Sequence, residues 1–429
     1  MSRISGELRR TMPALIAAIP IAIVFFAVLG IMLTAAGPRG LALSEERTSG
    51  WIAVVYGLPM LPTLVLSVRY RQPLIFTGNI FAIIFFVSLG DQIAFPDLAG
   101  ASLVAGALVL VAAAFGLTGP LARWIPAPIV HGLIAGAVTP FVVDVFSSLS
   151  TSAGGVAIPS EIPLMVGAAL AIYLLSQRFL GPRIPAILPS FVAGLLVALL
   201  TGQLGEIPSS LELPSLEVVR PGFSWTAIVT ATPVLVALLT VQSNVPSVIY
   251  LRTQGFRAPE RVVNVLSGVG TVVGAFFGPI AVSLALPPLL LAAGPGAGER
   301  SIRYRAVYVP VATGLLIALF AGTAADLSVL VPPVLLLAMA GLALMPALIA
   351  ALREITTGPL ILGPLFAFVI ALSEMKLFGL GPFFWSLVLG TAVSFLMERD
   401  GWKSLGPEPA EDGEVPVDPA EEASGRAEH

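Results

Sequence analysis

Apolar runs of roughly the ~20 residues needed to cross a bilayer recur along almost the whole chain, separated by short polar turns. The pattern predicts spans near 13–36, 50–68, 72–90, 101–118, 125–147, 162–180 and 184–202. A polar linker rich in Pro and Glu follows over 203–224, and then spans near 226–250, 261–277, 278–296, 304–322, 329–351, 358–376 and 381–397. The expected architecture is an all-α polytopic membrane protein of 14 transmembrane segments. Its parts are a cytoplasmic N-terminus over 1–12, a seven-span repeat over 13–202, the extracytoplasmic linker, a second seven-span repeat over 225–398 and a tail over 399–429. Seven is odd, so the second repeat enters the membrane in the opposite sense to the first.

Two of these segments cannot be continuous helices. In 277–291, FGPIAVSLALPPLLL, Pro279, Pro287 and Pro288 each lack an N–H and restrict the residue before them, and Gly278 loosens the backbone further. The β-branched Ile280 and Val282 between the breaks read as a short extended piece. Non-helical backbone survives at membrane depth only where protein buries it or it lines a cavity, and a pair of such segments in corresponding positions points to a transporter's binding site. The partner is found through a weak internal similarity. Pro128-x7-Gly136-x3-Pro140 in the fifth span matches Pro333-x7-Gly341-x4-Pro346 in the twelfth at an offset of 205 residues. Pro and Gly are common in transmembrane helices, so that motif alone is weak. The same offset carries Ser283 back to Gly78, inside QPLIFTGNIFAIIFF at 72–86, which is again apolar and interrupted by Pro73 and Gly78. The third and tenth spans are therefore expected to be strand plus half-helix, meeting from opposite sides at mid-membrane.

Composition agrees with the pattern. The chain is 57% hydrophobic and 11% charged, with a mean hydropathy of +0.96, which no soluble fold of this length would show. Placing the N-terminus in the cytoplasm puts all but Arg39, Arg47, Arg220 and Lys376 of the 22 Lys and Arg on the inner side, as the positive-inside rule requires. Trp51, Trp124, Trp225, Trp385 and Trp402 fall at span ends and read as interfacial anchors. The acidic, Pro-containing tail reads as disordered. There is no cysteine, hence no disulfide or Cys-ligated metal. No phosphate-binding loop, nucleophile elbow or His/Glu metal motif is present, so no enzyme activity, cofactor or metal is expected. No basic groove suggests nucleic acid.

The candidate chemistry concentrates at the two broken segments. Converging helix N-termini present amide N–H groups and partial positive charge, which suits an anion. The residues at those ends are Thr77, Gly78 and Asn79 in the first repeat and Ala281, Val282 and Ser283 in the second. Their side chains are small and uncharged, so the backbone is expected to be the main donor. Phe76, Phe81, Phe276 and Phe277 offer an apolar wall, with ordinary core or lipid packing as the competing explanation. In the eighth span Gln242, Ser243 and Asn244 form a polar triplet just before Pro246; Gln242 and Asn244 are candidate ligand contacts, against plain helix–helix hydrogen bonding. Intramembrane ionisable residues are few. Asp144, Glu374 and His131 are the weak candidates for ion coupling, each close enough to an interface for water contact to explain it.

Several stretches in consistent order over about 3–400 resemble the benzoate/proton symporter family. They are Thr48-Ser49-Gly50-Trp51, Tyr70-Arg71-Gln72-Pro73, Gln242-Ser243-Asn244-Val245-Pro246, Gln254-Gly255-Phe256-Arg257-Ala258-Pro259 and Leu337-Ala338-Met339-Ala340-Gly341-Leu342-Ala343-Leu344. The resemblance implies the seven-plus-seven inverted-repeat fold shared with nucleobase permeases and sulfate-permease-type carriers. It also implies a core domain (spans 1–4 and 8–11) moving against a gate domain (spans 5–7 and 12–14), with dimerisation through the gates. The family's eighth-span pattern Ser-Gln-Asn-x-Pro-Gly is here Gln-Ser-Asn-Val-Pro-Ser, and its Trp-Ser-Thr-Pro-Gly-like third-span tip is Phe76-Thr77-Gly78-Asn79-Ile80. Where related nucleobase permeases carry a carboxylate, this chain has Gln242. The resulting expectation is a secondary active transporter of a small organic anion, benzoate or a similar aromatic carboxylate, by proton symport with alternating access. Its setting would be a bacterial-type inner membrane, with both termini cytoplasmic. An inorganic oxyanion or nucleobase carrier of the same fold is the alternative, and a channel a more distant one.

Overall fold

The computed structural model describes residues 2–37, 40–90, 92–118, 125–150, 152–153, 156–157, 159–180, 185–205, 211–373 and 375–404. Glu374, Trp124 and the acidic tail beyond 404 lie outside the described residues. The first half contains α1 (Ser2–Ala36), α2 (Glu45–Gly57), α3 (Met60–Tyr70), β1 (Phe76–Gly78), α4 (Ile80–Leu89), α5 (Phe95–Ala114) and α6 (Ala127–Ser147). A small hairpin of β2 (Ser152–Ala153) and β3 (Val156–Ala157) leads to α7 (Glu161–Phe179) and α8 (Ile187–Leu200). In the second half α9 (Trp225–Ala237) passes through a π-helical turn, Leu238–Asn244, into α10 (Val245–Thr253). Then come α11 (Glu260–Gly274), β4 (Val282–Leu284), α12 (Leu286–Ala292) and a 3₁₀ segment (Arg300–Val307) that runs into α13 (Tyr308–Leu319). The chain continues through α14 (Ala321–Leu330), α15 (Pro333–Thr357), α16 (Leu362–Leu372), α17 (Pro382–Met397) and α18 (Arg399–Ser404).

Among the described residues 8 helices are long and apolar enough to cross a membrane, and α4, α8, α16 and α17 are shorter apolar helices. Together with α11 and the broken β4–α12 segment these fit the fourteen expected spans. The repeat also fits. Ile80 and Leu286 open the half-helices, Phe95 and Arg300 open the fourth and eleventh spans, and Ala127 and Pro333 open the fifth and twelfth, at offsets of 206, 205 and 206 residues. These match the offset of 205 read from the Pro and Gly positions. Strands β1 and β4 pair antiparallel, so the two half-helices run in opposite directions.

One expectation changes, and the structure adds two details to the span pattern. The twelfth span begins at Pro333, and residues 321–330 before it form the separate helix α14. Helix α14 is held by the linker: the Glu212 amide donates to Thr323 Oγ1 at 2.8 Å, and Gly322 lies under the Glu212 and Leu213 carbonyls. Trp51 is not an interfacial anchor; it is 1% exposed, packs edge-on against Phe95 and donates from Nε1 to the Pro279 carbonyl at 2.8 Å. The tenth segment is short in its helical part, with seven residues in α12 against ten in α4.

Lipid tails are as apolar as leucine, so helices in a bilayer gain from close backbone approach at small residues. The α5–α11 contact is built that way. A Cβ on Gly106 would come within 2.9 Å of the Gly268 carbonyl oxygen, and one on Gly268 within 2.8 Å of the Gly106 oxygen. Helices α6 and α15 meet similarly, with Gly341 against the Phe141 carbonyl. Gly268→Val should therefore overpack the contact and destabilise by about 1–3 kcal/mol, read as a lower Tm in detergent. Gly30→Ala, whose added methyl meets nothing within 4 Å, should leave Tm unchanged or slightly raised.

Glu398, just beyond α17, caps the start of α16. Its Oε1 accepts from the Ile361 and Leu362 amides at 2.6 Å each, and its Oε2 accepts from the Gly363 amide and Ser394 Oγ at 2.9 Å each. Burial pushes the carboxyl pKa up, but these donors together outweigh burial and leave it below the ordinary carboxylate value. A folded-state pKa lower than the unfolded one gives stability that is present above the unfolded pKa and is lost as pH falls through the folded one. Glu398→Gln should lower Tm at neutral pH by an amount corresponding to about 1 kcal/mol, and the gap to the parent should close as pH drops below the carboxylate range.

Candidate functional site

The broken segments meet because their sequences leave no better arrangement. Gly278 has φ +140°, and a Cβ there would fall 2.6 Å from the Phe95 ring and 3.0 Å from Trp51. With Pro279 next, the chain stays extended until Ala285, and Pro287 and Pro288 then start α12. In the other half the chain leaves α3 through Arg71 in the left-handed region (φ 53°) and is extended from Pro73 to Asn79. The strands pair in the register Phe76↔Leu284, Thr77↔Ser283 and Gly78↔Val282. The ladder extends one pair beyond each end: the Asn79 amide donates to the Ala281 carbonyl at 2.7 Å and the Ala285 amide to the Ile75 carbonyl at 3.0 Å.

In an antiparallel pair alternate residues point their N–H groups away from the partner strand, and at this depth each needs a donor's partner from elsewhere. Neighbouring side chains provide them. The Phe76 amide donates to Thr63 Oγ1 at 2.8 Å, the Val282 amide to Thr271 Oγ1 at 2.9 Å and the Leu284 amide to Asn244 Oδ1 at 2.9 Å. The Ile280 amide reaches Ser102 Oγ at 3.3 Å, and the Leu74 amide reaches Ser67 Oγ at 2.9 Å. These hydroxyls and the Asn244 amide are all buried.

Asn79 joins the crossing to the polar triplet. Its Oδ1 accepts from the Phe81 and Ala82 amides at 3.0 and 3.3 Å, capping α4. That fixes which end of the amide donates. Nδ2 then faces Ser243 Oγ at 2.8 Å, Ser283 Oγ at 3.2 Å, the Leu238 carbonyl at 3.3 Å and Gln242 Oε1 at 3.4 Å. Since Nδ2 is a donor, the Gln242 atom facing it must be the acceptor Oε1, which also receives the Ser243 hydroxyl. Gln242 Nε2, with two N–H donors, donates to no described group. The π-helical turn that presents Leu238–Asn244 bulges the helix at this point, as such turns do at functional sites. Pro246 contributes, because its missing N–H removes the normal partner of the Gln242 carbonyl.

The predicted residues thus fall into two sets. Thr77, Gly78 and Gln242 are half-buried and form an accessible rim, together with Ile80 and Phe81. Phe76, Asn79, Asn244, Ala281, Val282 and Ser283 are buried behind it. Asn244 is 0% exposed and fully engaged; besides accepting from Leu284 it donates to Asn264 Oδ1 and Ser267 Oγ at 2.9 Å each. The free-amide expectation also narrows. Asn79 occupies two of the first amides of α4, leaving that of Ile80 donating to no described group, and in α12 Pro287 and Pro288 have none, leaving only that of Leu286 without a described acceptor. The four phenylalanines do not converge: Phe76 is in the core, Phe276 is exposed, and Phe277 lies beside Trp51 and the linker residue Val219. Sequence reading missed Thr63, Ser67, Ser102, Thr271, Asn264 and Ser267, isolated small polar residues whose only signal is a hydroxyl or amide inside an apolar span. His131 and Asp144 lie at opposite ends of α6, roughly 20 Å apart along its axis, and Glu374 is outside the described residues. The His131 ring Nδ1 is 2.9 Å from the Ala127 carbonyl.

Residues 10–396 match the BenE family, benzoate membrane transport protein. The chain belongs to this family. It is 25% identical over 360 residues to a benzoate membrane transport protein of Acinetobacter baylyi, covering 83% of this chain and 88% of that one. Its fold is that of the transmembrane domain of BicA, a cyanobacterial bicarbonate transporter, with a TM-score of 0.53 at 16% identity over 90% of this chain and 97% of that one. It also matches murine solute carrier 26 family member A9, an anion transporter solved in the inward-facing state, with a TM-score of 0.61 at 14% identity over 90% and 68% of the two chains. The chain is therefore a multi-pass membrane transporter and not an enzyme.

The two halves of the site should separate in a melting experiment. Asn244→Ala strands the Leu284 amide and unpairs Asn264 and Ser267, so it should cost about 1–3 kcal/mol and lower Tm clearly. Gln242→Ala removes a half-buried side chain with a free amide end and should leave Tm close to the parent's.

Proposed function

We propose that this protein is a secondary active transporter of a small organic anion, benzoate or a similar aromatic carboxylate, by proton symport. The observation that carries this reading is the orientation of Gln242, whose Nε2 is left as a pair of unspent donors at the rim of the crossing. Beside it stands the Ile80 amide at the start of α4, where the helix dipole contributes partial positive charge. A carboxylate accepts both kinds of donor without needing a cationic side chain. Half-buried Ile80 and Phe81 offer an apolar surface for a ring. The family membership supports this substrate class, and the Acinetobacter relative is named for benzoate.

In this reading the core is spans 1–4 and 8–11, comprising α1–α5, β1, β4 and α9–α13, and it moves the crossing past a gate of spans 5–7 and 12–14, comprising α6–α8 and α15–α17. The buried hydrogen bonds of the crossing keep its two arms moving as one piece. His131 and Asp144, both on α6, are the coupling candidates within the described residues. The protein would sit in an inner membrane with both termini cytoplasmic and dimerise through the gates.

Radiolabelled benzoate should accumulate in proteoliposomes faster under an inward proton gradient than without one, with other aromatic acids competing. Gln242→Ala should lower kcat/KM about tenfold or more, the size of a lost hydrogen bond to a charged group, and His131→Gln should lose the response to the gradient. No uptake and no competition would remove this substrate class. Stabilisation by sulfate, bicarbonate or a nucleobase instead would put the alternative carriers in its place.

A further inference from the structure

A cavity lies away from the crossing, with a volume of about 270 Å³, near the lower end of the ~300–1,000 Å³ of small-molecule sites. It is lined by Gln92 and Ile93 just past α4, by Thr226 and Thr230 of α9, and by Lys376, Gly379 and Gly381. Lys376 sits on a built turn. Leu377 and Leu380 exchange backbone hydrogen bonds of 3.2 and 3.0 Å, Phe378 and Gly379 take φ 55° and 76°, and Trp385 Nε1 donates to the Leu377 carbonyl at 3.2 Å. Among the described residues Lys376 makes no ion pair or hydrogen bond. Thr230 is 1% exposed, yet its Oγ has no hydrogen-bond partner among the described residues. Other helical threonines, including Thr34, Thr139, Thr240 and Thr313, bond the carbonyl four residues back. The Thr230 hydroxyl is instead a spare donor and acceptor on the cavity wall.

The cavity and the crossing share two helices. From Asn79 to Gln92 along α4 and its C-terminal turn, and from Thr230 to Gln242 along α9 and the π-helical turn, the separation is roughly 18–20 Å at ~1.5 Å per residue. Between the two lies a closed contact: Phe85 of α4 is 0% exposed and stands edge-on to Phe383 of α17 at a centroid distance of 5.3 Å.

We infer that this cavity is an anion-accepting vestibule, a second site for a small carboxylate, held by the Lys376 ammonium with the Thr230 and Gln92 side chains as hydrogen-bond partners. It rests on the transporter reading for what the anion does next, which is to pass the Phe85–Phe383 contact toward Gln242. Lys376 is one of only four cations that the charge pattern puts on the outer side. Asp91 and Glu374, within two residues of the walls, lie outside the described residues. The test therefore reads the change on neutralising Lys376 rather than an absolute rate.

The chain has no cysteine, so Thr226→Cys, at an exposed wall position, gives a single reporter in the full-length protein. An anionic and a cationic thiol reagent of equal size are applied, with and without Lys376→Gln. The anionic-to-cationic rate ratio should fall roughly three- to tenfold when Lys376 is neutralised, and saturating benzoate should slow labelling in the Lys376 protein more than in the variant. In uptake, Lys376→Gln should raise KM severalfold with kcat kept. An unchanged ratio, or benzoate protection equal in both proteins, overturns the vestibule. A Lys376-dependent ratio and protection in a protein that transports no benzoate would keep the vestibule and reject the transport reading instead.

Discussion

Everything at the centre of this molecule follows from one constraint: backbone that leaves the helix inside a membrane must find a partner for every polar group it exposes. The two extended segments meet half of that need through each other, in a ladder running from Ile75–Ala285 to Asn79–Ala281. The outward-facing amides are met by Thr63, Thr271, Asn244, Ser102 and Ser67, drawn from helices on both sides of the crossing. Each such bond is worth little net in folding, about 1 kcal/mol, but leaving the group unpaired would cost more. The surrounding helices are thereby committed to a position, and the crossing becomes stiff backbone in the middle of a fold otherwise made of sliding apolar surfaces.

That stiffness explains the division of labour in the polar triplet. Ser243 and Asn244 are spent on structure, one against Asn79 and the other against β4 and α11. Gln242 alone keeps a donor end free, and it does so because Asn79 is turned by its own capping bonds to present Nδ2. The chemistry of the rim is set by a chain of hydrogen-bond polarity beginning at a helix cap, with no formal charge involved. A carboxylate at Gln242's position would reverse that polarity and favour donors over anions.

The breaks were legible in the sequence because Pro and Gly act locally: Gly278, Pro279, Pro287 and Pro288 forbid a continuous helix whatever surrounds them, and the 205-residue offset located the twin. The family resemblance and the span pattern were legible for similar reasons of periodicity and charge. What the sequence did not show depends on tertiary contacts. Trp51 has an interfacial composition, and only the absent Cβ of Gly278 makes room to bury it beside Pro279. Helix α14 falls between the spans near 304–322 and 329–351, its Asp326 and small residues give no apolar stripe, and its support comes from the linker backbone at Glu212. The π-helical turn and the supporting hydroxyls have no periodic signature at all.

The two repeats are alike in backbone and unlike in chemistry, and that asymmetry bears on how the site works. In the first repeat the half-helix opens on Asn79, a side chain that caps, donates and ties the crossing to α9. In the second it opens on Leu286 after Ala285, and the two prolines that follow hold the geometry rigid, so this end offers the Leu286 amide but no side-chain polar group. A symmetrical crossing would present two equivalent anion sites back to back. Here the buried Val282–Leu284 arm serves as a brace, while the polar rim gathers on the β1–α4 side next to Gln242. The side-chain polar groups of the crossing are therefore gathered on one face of it, where Asn79 meets Gln242 and Ser243, while the amides at the two half-helix starts remain alike.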